Sequence, residues 1–420
     1  MKAFIAKSKI KGKMSAPPSK SYTIRGLMCA ALARGESEIA HFLSSEDTEA
    51  AANVLSKVGV RVRPEVGRWR VNGGNFHQPR EDLFCGDSAA TLRFMTAVCS
   101  IIPGKCRLTV GSSLARRPVG PLVQVLRQLG VDCYSQGGVA PVVVNGGWLK
   151  GGVIELPGDI SSQFISALLF MAPFAEEGVK IRLTTPLESK PYVLMTLDCL
   201  KNFEVKVEYT LALDEFEITR QSYRSTRYEV EGDWSSASYF LALGAVAGDV
   251  AVENLNLESF QGDKMMLNFL REMGALVEIN HDSVVVRKSR LKAIKADLTD
   301  GIDLLPTMAV LAAAAMGTSE FTGIARARLK ESDRVAAVGE GLQRMGVVVT
   351  EEKDKLVIVG SGLTGAVIDS HYDHRIAMAF SILGTLAGGT TINGAECVNK
   401  TFPEFWAILE SIEGKVMIDE

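Results

Sequence analysis

The feature that most constrains the fold of this chain is a motif that recurs six times. In each copy an amphipathic helical segment ends in Leu-x-x-x-Gly, or a close variant, and continues directly into a short β-branched strand. Each copy has one anchoring leucine, and these follow one another at steps of 67 to 74 residues: Leu55, Leu126, Leu200, Leu270, Leu342 and Leu409. This even spacing predicts six structural units, each with room for two helices and several strands.

The residue that follows each helical segment supports the same division. In four copies it is a glycine: Gly59, Gly130, Gly274 and Gly346. Glycine favours the left-handed conformation that commonly ends a helix. The third and sixth copies have Glu204 and Glu413 there instead. Junctions of this kind occur in many α/β proteins, so the inference of a repeat depends on the spacing.

Six units within 420 residues point to two domains of three units each. The length alone allows two or three domains at about 150 residues per domain. The boundary should lie near the segment YEVEGDWSSAS in the middle of the chain. A cleft between two such domains is the default place for a ligand.

The composition excludes several classes of protein. A hydrophobic fraction of 47% and a charged fraction of 23% are those of an ordinary globular protein, not of a disordered, collagen-like or coiled-coil chain. Lys and Arg number 46 and Asp and Glu number 49, so the chain has no net positive charge that would attract nucleic acid or an acidic membrane. Anion binding must therefore come from local clusters of basic side chains.

Cysteine usage and hydropathy indicate where the chain works. The seven cysteines are scattered and form neither a CxxC motif nor a Cys/His ligand pattern, which favours a reduced, cytoplasmic compartment without a metal site. The segment MKAFIAKSKIKGKM lacks the apolar core of a signal peptide. The longest apolar runs, such as LLPTMAVLAAAAMG, fall short of the ~18 residues that span a bilayer, so we expect no membrane segment.

Basic and hydroxyl residues gather at the predicted start of the first long helix. The segment APPSKSYTIRG predicts a helix that begins near Tyr22, with Ser19 or Ser21 as its cap. Lys20, Ser21 and Arg25 then surround a helix N-terminus, whose free N–H groups favour an anion. The alternative is a capped helix with two solvated cations.

The segment CGDSAATLRF and the arginine pair downstream form a second cluster. Small residues from Gly86 to Thr91 allow a ligand to approach the backbone closely. Arg93 lies inside an apolar helix pattern, which favours a structural pairing with a carboxylate. Arg117, directly before Pro118, favours a ligand role.

Two serine-rich helix starts follow. Ser161, Ser162 and Gln163 open a strongly apolar helix and suit phosphate or polyol recognition, although capping needs only one of them. Ser189 and Tyr192 stand in a proline-punctuated entry to another helix, which is a weaker signal.

The densest charges lie in the second half of the chain. Asp303 precedes a buried helix, and Lys330, Glu331, Asp333 and Arg334 fall within five residues at the start of another. A solvated charged face is the usual interpretation of such a run. The apolar VAAVGEGL that follows argues against it.

Two more clusters complete the series. Asp373, His374 and Arg375 stand before an apolar helix, and Lys400 precedes Thr401, the predicted cap of the last helix. All seven clusters lie at helix starts spread over the six units. We therefore expect helix N-termini and cations from both domains to line one cleft that binds small molecules carrying phosphate and carboxylate groups.

Six of the segments also carry a resemblance to a known family. PSKSYTIR, GDISSQF, SKPY, KESDR, DHR and NKTFP, in this order and spacing, resemble the 5-enolpyruvylshikimate-3-phosphate (EPSP) synthase family over essentially the whole chain. The resemblance implies an α/β (α+β) fold with two similar domains, each of three βαβαββ units, which is the inverse α/β barrel of the enolpyruvyl transferases. It also implies that residues 1–14 belong with 231–420, that 15–230 form the other domain, and that the active site lies in the interdomain cleft.

The resemblance implies an enzyme that transfers the enolpyruvyl group of phosphoenolpyruvate to the 5-hydroxyl of 3-phosphoshikimate and releases phosphate. Its motifs assign 3-phosphoshikimate binding to Lys20, Ser21, Arg25, Ser161, Ser162, Gln163, Ser189, Tyr192, Asp303 and Lys330. They assign phosphoenolpyruvate binding to Lys20, Ala89, Arg117, Gln163, Arg334, Arg375 and Lys400. No metal or organic cofactor, no nucleic acid and no membrane is implied, and we expect a monomer.

The residue types suit this chemistry. Each substrate brings a phosphate and a carboxylate, so several cations are needed to offset their mutual repulsion. Asp303 is the natural general base for the hydroxyl, and Glu331, with Lys20, is the candidate acid that protonates the enol carbon. A carboxyl group among lysines normally stays ionised, so Glu331 acts as an acid only if its pKa is raised in the closed site.

One segment departs from the family pattern. The loop that usually reads Gly-Asn-Ser/Ala-Gly-Thr is Gly86-Asp87-Ser88-Ala89-Ala90 here. Ala89 puts a methyl group where glycine allows close approach, and Ala90 lacks the threonine hydroxyl. We therefore expect the inhibitor glyphosate to be crowded.

Three rival functions fit parts of the same pattern. The closest is that of the related UDP-N-acetylglucosamine 1-carboxyvinyltransferase, which lacks the SSQF, KESDR and KTFP set. The second is an RNA-end-processing protein, against which the balanced charge argues. The third is a non-catalytic anion-binding relative, against which the presence of both Asp303 and Glu331 argues.

Overall fold

The six sequence repeats correspond to six four-stranded sheets in the computed structural model, which describes residues 1–281, 283–360 and 362–419. The chain divides into two compact units: residues 1–17 with 232–420, called here the C-terminal-half unit, and residues 18–231, the N-terminal-half unit. The boundaries expected from the sequence, after residues 14 and 230, lie three residues and one residue before these.

The strands in the described part of the chain are β1 (Lys2–Ala6), β2 (Ile10–Ser15), β3 (Gly35–Ala40), β4 (Arg61–Glu65), β5 (Arg68–Gly73), β6 (Leu83–Phe84), β7 (Gly104–Thr109), β8 (Asp132–Ser135), β9 (Val142–Gly146), β10 (Gly152–Leu156), β11 (Val179–Leu183), β12 (Glu208–Tyr209), β13 (Glu215–Ile218), β14 (Arg227–Glu229), β15 (Gly248–Glu253), β16 (Leu276–Ile279), β17 (Ser283–Arg287), β18 (Lys295–Asp297), β19 (Thr318–Thr322), β20 (Val348–Glu351), β21 (Lys355–Val359), β22 (Val367–Asp369), β23 (Thr390–Asn393) and β24 (Lys415–Asp419).

The α-helices in the same residues are α1 (Lys20–Leu32), α2 (Glu46–Lys57), α3 (Ala89–Val98), α4 (Gly120–Gln128), α5 (Ser162–Met171), α6 (Lys190–Asn202), α7 (Trp234–Ala247), α8 (Met266–Glu272), α9 (Leu305–Ala314), α10 (Arg334–Arg344), α11 (His374–Ala387) and α12 (Phe405–Ser411).

All six sheets share one strand order, in which one parallel pair is followed by two antiparallel strands. The N-terminal-half unit has β14-β3-β5-β4, β6-β7-β9-β8 and β10-β11-β13-β12. The C-terminal-half unit has β2-β15-β17-β16, β18-β19-β21-β20 and β22-β23-β1-β24. Where the four strands of a sheet follow one another in the chain, one helix joins the parallel strands and a second leads to the antiparallel pair, as in β10-α5-β11-α6-β12-β13. This arrangement confirms the predicted βαβαββ units.

The ends of the chain explain why residues 1–17 belong with the C-terminal-half unit. β1 lies between β23 and β24 and pairs with both, and β2 pairs in parallel with β15. The N-terminal segment therefore supplies one central strand and one edge strand to sheets whose other strands lie more than 230 residues further along the chain.

The helix-to-strand junctions show the repeat at residue level. The backbone is left-handed at all six predicted positions, with φ of +106° at Gly59, +88° at Gly130, +59° at Glu204, +84° at Gly274, +87° at Gly346 and +70° at Glu413. A glutamate is sterically disfavoured in this region. The two glutamates adopt it nonetheless, so the geometry of the unit, and not glycine alone, sets this turn.

The two helices of each unit differ in burial. The helices between the parallel strands are buried along nearly their whole length, as in α9, where every residue from Leu305 to Ala313 is buried. The second helices bury one face, such as Ala51, Val54 and Leu55 of α2. Each compact unit has its own apolar core. No helix among the described residues is long and apolar enough to cross a membrane.

Candidate functional site

A buried arginine at the start of α10 organises the polar residues of the C-terminal-half unit. Arg334 is 1% exposed and makes ion pairs with three carboxylates. Its Nε donates to Asp373 Oδ2 at 2.7 Å, Nη1 to Asp303 Oδ1 at 2.6 Å and Nη2 to Glu331 Oε2 at 2.6 Å. Asp333 caps the helix by accepting from Ala336 N at 3.0 Å. The short KESDR segment therefore supplies a helix cap, a cation and one of its partners.

Two further cations reach the same aspartate. Lys330 Nζ lies 3.1 Å from Asp303 Oδ1, and Arg375 Nη2 lies 3.7 Å from Asp303 Oδ2. Asp303 sits in the 3₁₀ turn Ile302–Leu304 that leads into α9, as the sequence predicted for a residue just ahead of a buried helix. We call these six residues the Arg334 network: Asp303, Lys330, Glu331, Arg334, Asp373 and Arg375.

The charges of the Arg334 network are balanced, because three carboxylates face three cations. Burial on its own lowers the pKa of Arg334, but Asp373, Glu331 and Asp303 outweigh it and raise that pKa above its ordinary value. A buried charge is tolerated when it is paired and hydrogen-bonded in this way. The network therefore favours the charged form of the buried Arg334 guanidinium.

Sequence reasoning brought five of these six residues together but gave no role to Asp373. Asp373 is the N-cap of α11, where it accepts from Arg375 N at 3.0 Å, and it also accepts from Ser332 Oγ at 3.0 Å. The available signal was an aspartate before a helix, which normally indicates only a cap. Its ion pair with Arg334 depends on a partner 39 residues away.

Lys400 lies in the same unit, buried at the end of the 3₁₀ helix Ala395–Lys400. The prediction that Thr401 caps the last helix is wrong, because α12 begins at Phe405 with Glu404 as its N-cap residue. The physical reason is Pro403, since a residue before proline is disfavoured in helical geometry. Residues 401–404 are therefore non-helical and separate the 3₁₀ helix from α12.

In the N-terminal-half unit, α1 begins at Lys20, two residues earlier than predicted, and Ser19 rather than Ser21 caps it by accepting from Tyr22 N at 3.4 Å. Lys20 Nζ pairs with Asp47 Oδ2 at 3.0 Å. Asp47 is buried in the first turn of α2 and was missed by sequence reasoning, because an acidic first turn is ordinary helix chemistry.

Arg25 is a buried cation, 2% exposed, with three hydrogen bonds to neutral oxygens. Nε donates to Thr196 Oγ1 at 2.9 Å, Nη1 to Ser21 O at 3.0 Å and Nη2 to Tyr192 O at 3.1 Å. Burial lowers the pKa of Arg25. An anion nearby would counter this desolvation, so the position suits a phosphate or carboxylate. The guanidinium also lies over the Tyr192 ring at 5.8 Å.

Arg93 donates hydrogen bonds to the residues at the start of α5. Its Nη1 donates to Gln163 Oε1 at 2.8 Å and to Ser161 Oγ at 3.2 Å, and Nη2 donates to Pro118 O at 3.1 Å. These three partners are an amide, a hydroxyl and a carbonyl oxygen. Of the three residues that the sequence placed at the start of α5, Ser161 is the cap and accepts from Gln163 N at 3.3 Å.

The remaining predicted residues also stand at helix starts. Ala89 is the first residue of α3, Arg117 is buried shortly before α4, Ser162 is the first residue of α5, and Ser189 is the N-cap residue of α6 with φ of +56°. The loops that carry Ala89 and Arg117 are linked, since Asp87 Oδ1 accepts from Leu114 N at 3.1 Å.

The described contacts thus form three groups: the Arg334 network, Arg25 with Ser21 and Tyr192, and Arg93 with Ser161 and Gln163. Within residues 1–281, 283–360 and 362–419, no three His, Cys, Asp and Glu side chains are arranged to hold a metal ion. The three groups offer cations, hydroxyls and carboxylates that can contact an anionic substrate.

Comparisons with known proteins agree on one family. Residues 5–409 match the family model for EPSP synthase (3-phosphoshikimate 1-carboxyvinyltransferase). The 3-phosphoshikimate 1-carboxyvinyltransferase of Dehalococcoides mccartyi is 49% identical over 421 residues, with 100% of both chains covered. That of Methanococcus maripaludis is 40% identical, with 98% of both chains covered. The structure of the EPSP synthase of Acinetobacter baumannii superposes with a TM-score of 0.85 at 28% identity, covering 100% of both chains. This chain belongs to the EPSP synthase (3-phosphoshikimate 1-carboxyvinyltransferase) family.

Proposed function

We propose that this protein transfers the 1-carboxyvinyl group of phosphoenolpyruvate to the 5-hydroxyl of 3-phosphoshikimate and releases phosphate. The observation that carries the proposal is the Arg334 network, in a chain that belongs to this family. It places a carboxylate, Asp303, that can accept the proton of a hydroxyl beside three cations that can bind a polyanionic substrate.

The binding roles follow the charges of the two substrates. We assign 3-phosphoshikimate to the residues around Arg25 and α5, together with two residues of the Arg334 network: Lys20, Ser21, Arg25, Ser161, Ser162, Gln163, Ser189, Tyr192, Asp303 and Lys330. We assign phosphoenolpyruvate to a set with five cations: Lys20, Ala89, Arg117, Gln163, Arg334, Arg375 and Lys400. Both sets must act on the same pair of substrates for the transfer to occur.

The reaction proceeds by addition and then elimination. Asp303 takes the proton of the 5-hydroxyl as its oxygen forms a bond to C2 of phosphoenolpyruvate, and Glu331, with Lys20, delivers a proton to C3. Loss of one proton from the new methyl group, with departure of phosphate, then restores the double bond. Glu331 is paired with Arg334 at 2.6 Å, so its acid role requires that ion pair to loosen when substrates bind.

The test is a coupled phosphate-release assay that requires both substrates, with mass-spectrometric detection of the carboxyvinyl product. Phosphate release that depends on both compounds supports the proposal. Phosphate release with UDP-N-acetylglucosamine in place of 3-phosphoshikimate would overturn it in favour of the related transferase.

We also infer a reducing, cytoplasmic compartment, because all seven cysteines are free thiols and six of them are buried.

A further inference from the structure

A buried carboxylate outside the proposed substrate-binding set is linked to Arg375 through a serine. Ser235 is the second residue of α7, and Asp263 lies in the 3₁₀ turn Gly262–Met265 that leads into α8. Arg375 Nη1 donates to Ser235 Oγ at 2.6 Å, and Ser235 Oγ donates in turn to Asp263 Oδ2. We call these three residues the Asp263 relay.

The direction of the Asp263 relay is fixed by chemistry. A guanidinium has donors and no acceptor, so Ser235 Oγ must accept from Arg375. The single hydroxyl hydrogen of Ser235 is then available for Asp263, which must accept it. The carboxylate thereby strengthens the oxygen that holds the arginine, because a hydrogen bond to a charged group polarises the donor.

The position of Asp263 is unfavourable for a charged carboxyl. It is 4% exposed, and burial raises its pKa to about 6, a shift that Arg375 opposes and that Asp303 and Asp233 increase. The groups facing it are Asp233, which is the N-cap residue of α7, Ser235 and Tyr239 from α7, Asp303 from the turn before α9, and Arg375 from α11. Arg375 is the cation in this set, so the relay to Arg375 accounts for the ionised carboxyl.

The alternative partner of Arg375 is the proposed base itself. Arg375 Nη1 lies 3.4 Å from Asp303 O, and Nη2 lies 3.7 Å from Asp303 Oδ2, which is longer than a direct hydrogen bond. If Ser235 released Nη1, the guanidinium would be free to close on the Asp303 carboxylate. It would then be withdrawn from an incoming anion.

We infer that Asp263 is a positioning residue for Arg375, which it holds through Ser235 in the orientation that binds phosphoenolpyruvate. This inference rests on the proposed function, because it takes Arg375 as a ligand of phosphoenolpyruvate. Asp263 and Ser235 touch neither the substrate nor the reacting atoms in this account. They act on affinity for one substrate through the arginine.

The experiment compares Ser235→Ala, Asp263→Ala and the double variant by steady-state kinetics with each substrate varied in turn. Loss of a hydrogen bond to a charged group should raise the KM for phosphoenolpyruvate about tenfold in each single variant. The KM for 3-phosphoshikimate should stay within about twofold of the wild type, because Arg375 is assigned to phosphoenolpyruvate and not to 3-phosphoshikimate. The double variant should resemble the singles, because both residues act through one contact. Ser235→Thr, which keeps the hydroxyl, should restore the wild-type KM.

Ser238→Ala is the matched control. Ser238 is a buried serine on α7 whose hydroxyl donates to Ser235 O at 2.7 Å and pairs with Thr307 Oγ1, outside the Asp263 relay. It should leave the KM for phosphoenolpyruvate unchanged. If Asp263→Ala fails to fold, Ser235→Ala alone carries the test. An equal rise in Ser238→Ala and Ser235→Ala, or no rise in Ser235→Ala, would overturn the inference.

Arg375→Lys separates this inference from the proposed function. A raised KM for phosphoenolpyruvate in Arg375→Lys, with unchanged values in the relay variants, would overturn the relay and leave the role of Arg375 standing. An unchanged KM in Arg375→Lys would overturn the role of Arg375 and the inference together. A rise in the KM for phosphoenolpyruvate in Arg375→Lys and in the relay variants supports both.

Discussion

At the scale of single residues, the Arg334 network sets how the proposed base must be tested. Asp303 is the partner of Lys330, Arg334 and Arg375, so truncating it leaves three cations with one carboxylate fewer. Breaking a buried ion pair on one side costs about 3–5 kcal/mol of stability. A loss of activity in Asp303→Ala could therefore come either from the missing base or from a destabilised fold. The isosteric Asp303→Asn is the better variant, because it separates these two effects.

We expect Asp303→Asn and Glu331→Gln each to lower kcat by roughly 10²–10⁴-fold, the usual contribution of general acid–base catalysis. Both amides keep the shape and one hydrogen-bond acceptor for Arg334. Steady-state kinetics, with circular dichroism to confirm the native fold, provides the measurement. A near-normal kcat in either variant contradicts the role assigned to that residue.

The buried carboxyl of Asp263 makes a prediction about pH. Its folded pKa of about 6 lies above the ordinary value of 3.8, so the folded state holds this proton more tightly than the unfolded state. The carboxyl therefore lowers the free energy of unfolding as pH rises from about 4 to 6, by up to about 3 kcal/mol. Asp263→Asn lacks this penalty, so its stability relative to the wild type should improve between about pH 4.5 and about pH 7.5. Urea unfolding at the two pH values measures the change, and an identical difference at both would refute it.

Ala89 makes a prediction about inhibition. It is the first residue of α3 and is buried, and its methyl group stands where the family pattern has glycine. We expect low sensitivity to glyphosate, and we expect Ala89→Gly to lower the inhibition constant about tenfold or more by removing the methyl group. Inhibition constants measured against phosphoenolpyruvate test this. Inhibition at low micromolar glyphosate that Ala89→Gly leaves unchanged would argue against it.

At the scale of elements, helix starts were the most predictable feature of the site and their partners the least. Ser161 at α5 and Asp303 before α9 lie where the sequence placed them, because caps and prolines act locally. Asp263 and Ser235 could not be found this way. Each looks like an ordinary cap or turn residue, and their link joins residues 28 and 140 positions apart in the chain.

The packing of α10 on α11 gives a prediction at the same scale. A Cβ at Gly341 would overlap the ring of Phe380, whereas a Cβ at Gly339 on the same helix would meet Glu351 Oε2 at an ordinary 3.6 Å. We expect Gly341→Ala to destabilise the protein by about 1–3 kcal/mol through overpacking. Gly339→Ala, the matched control, should be neutral or stabilising by up to about 1 kcal/mol from helix propensity. Thermal or urea unfolding measures the stability of both variants. Equal effects would contradict the close approach of Gly341 to the Phe380 ring.

At the scale of the whole molecule, the even spacing of the repeat made the number of units predictable, and the Glu204 and Glu413 turns show that the spacing outweighs the glycine signal. The strand order within each sheet could not be predicted from the residue pattern alone. Strands as short as Leu83–Phe84 and Glu208–Tyr209 carry too little alternation to fix a pairing or a register. The family resemblance supplied the unit topology that periodicity alone left open.

The way the chain threads its two units gives the last prediction. The N-terminal-half unit takes all its strands from residues 18–231, whereas the sheets of the C-terminal-half unit need β1 and β2 from the first 15 residues. β1 is a central strand, paired on both sides, so residues 232–420 alone would have one sheet split between β23 and β24. We expect 18–231 to unfold cooperatively by itself and 232–420 to lack a cooperative transition. Lys2 pairs directly with Asp419, so a permuted chain of 232–420, a short linker and 1–17 should restore cooperative unfolding in calorimetry. A cooperative transition in 232–420 without the N-terminal strands would show that β1 is dispensable to this unit.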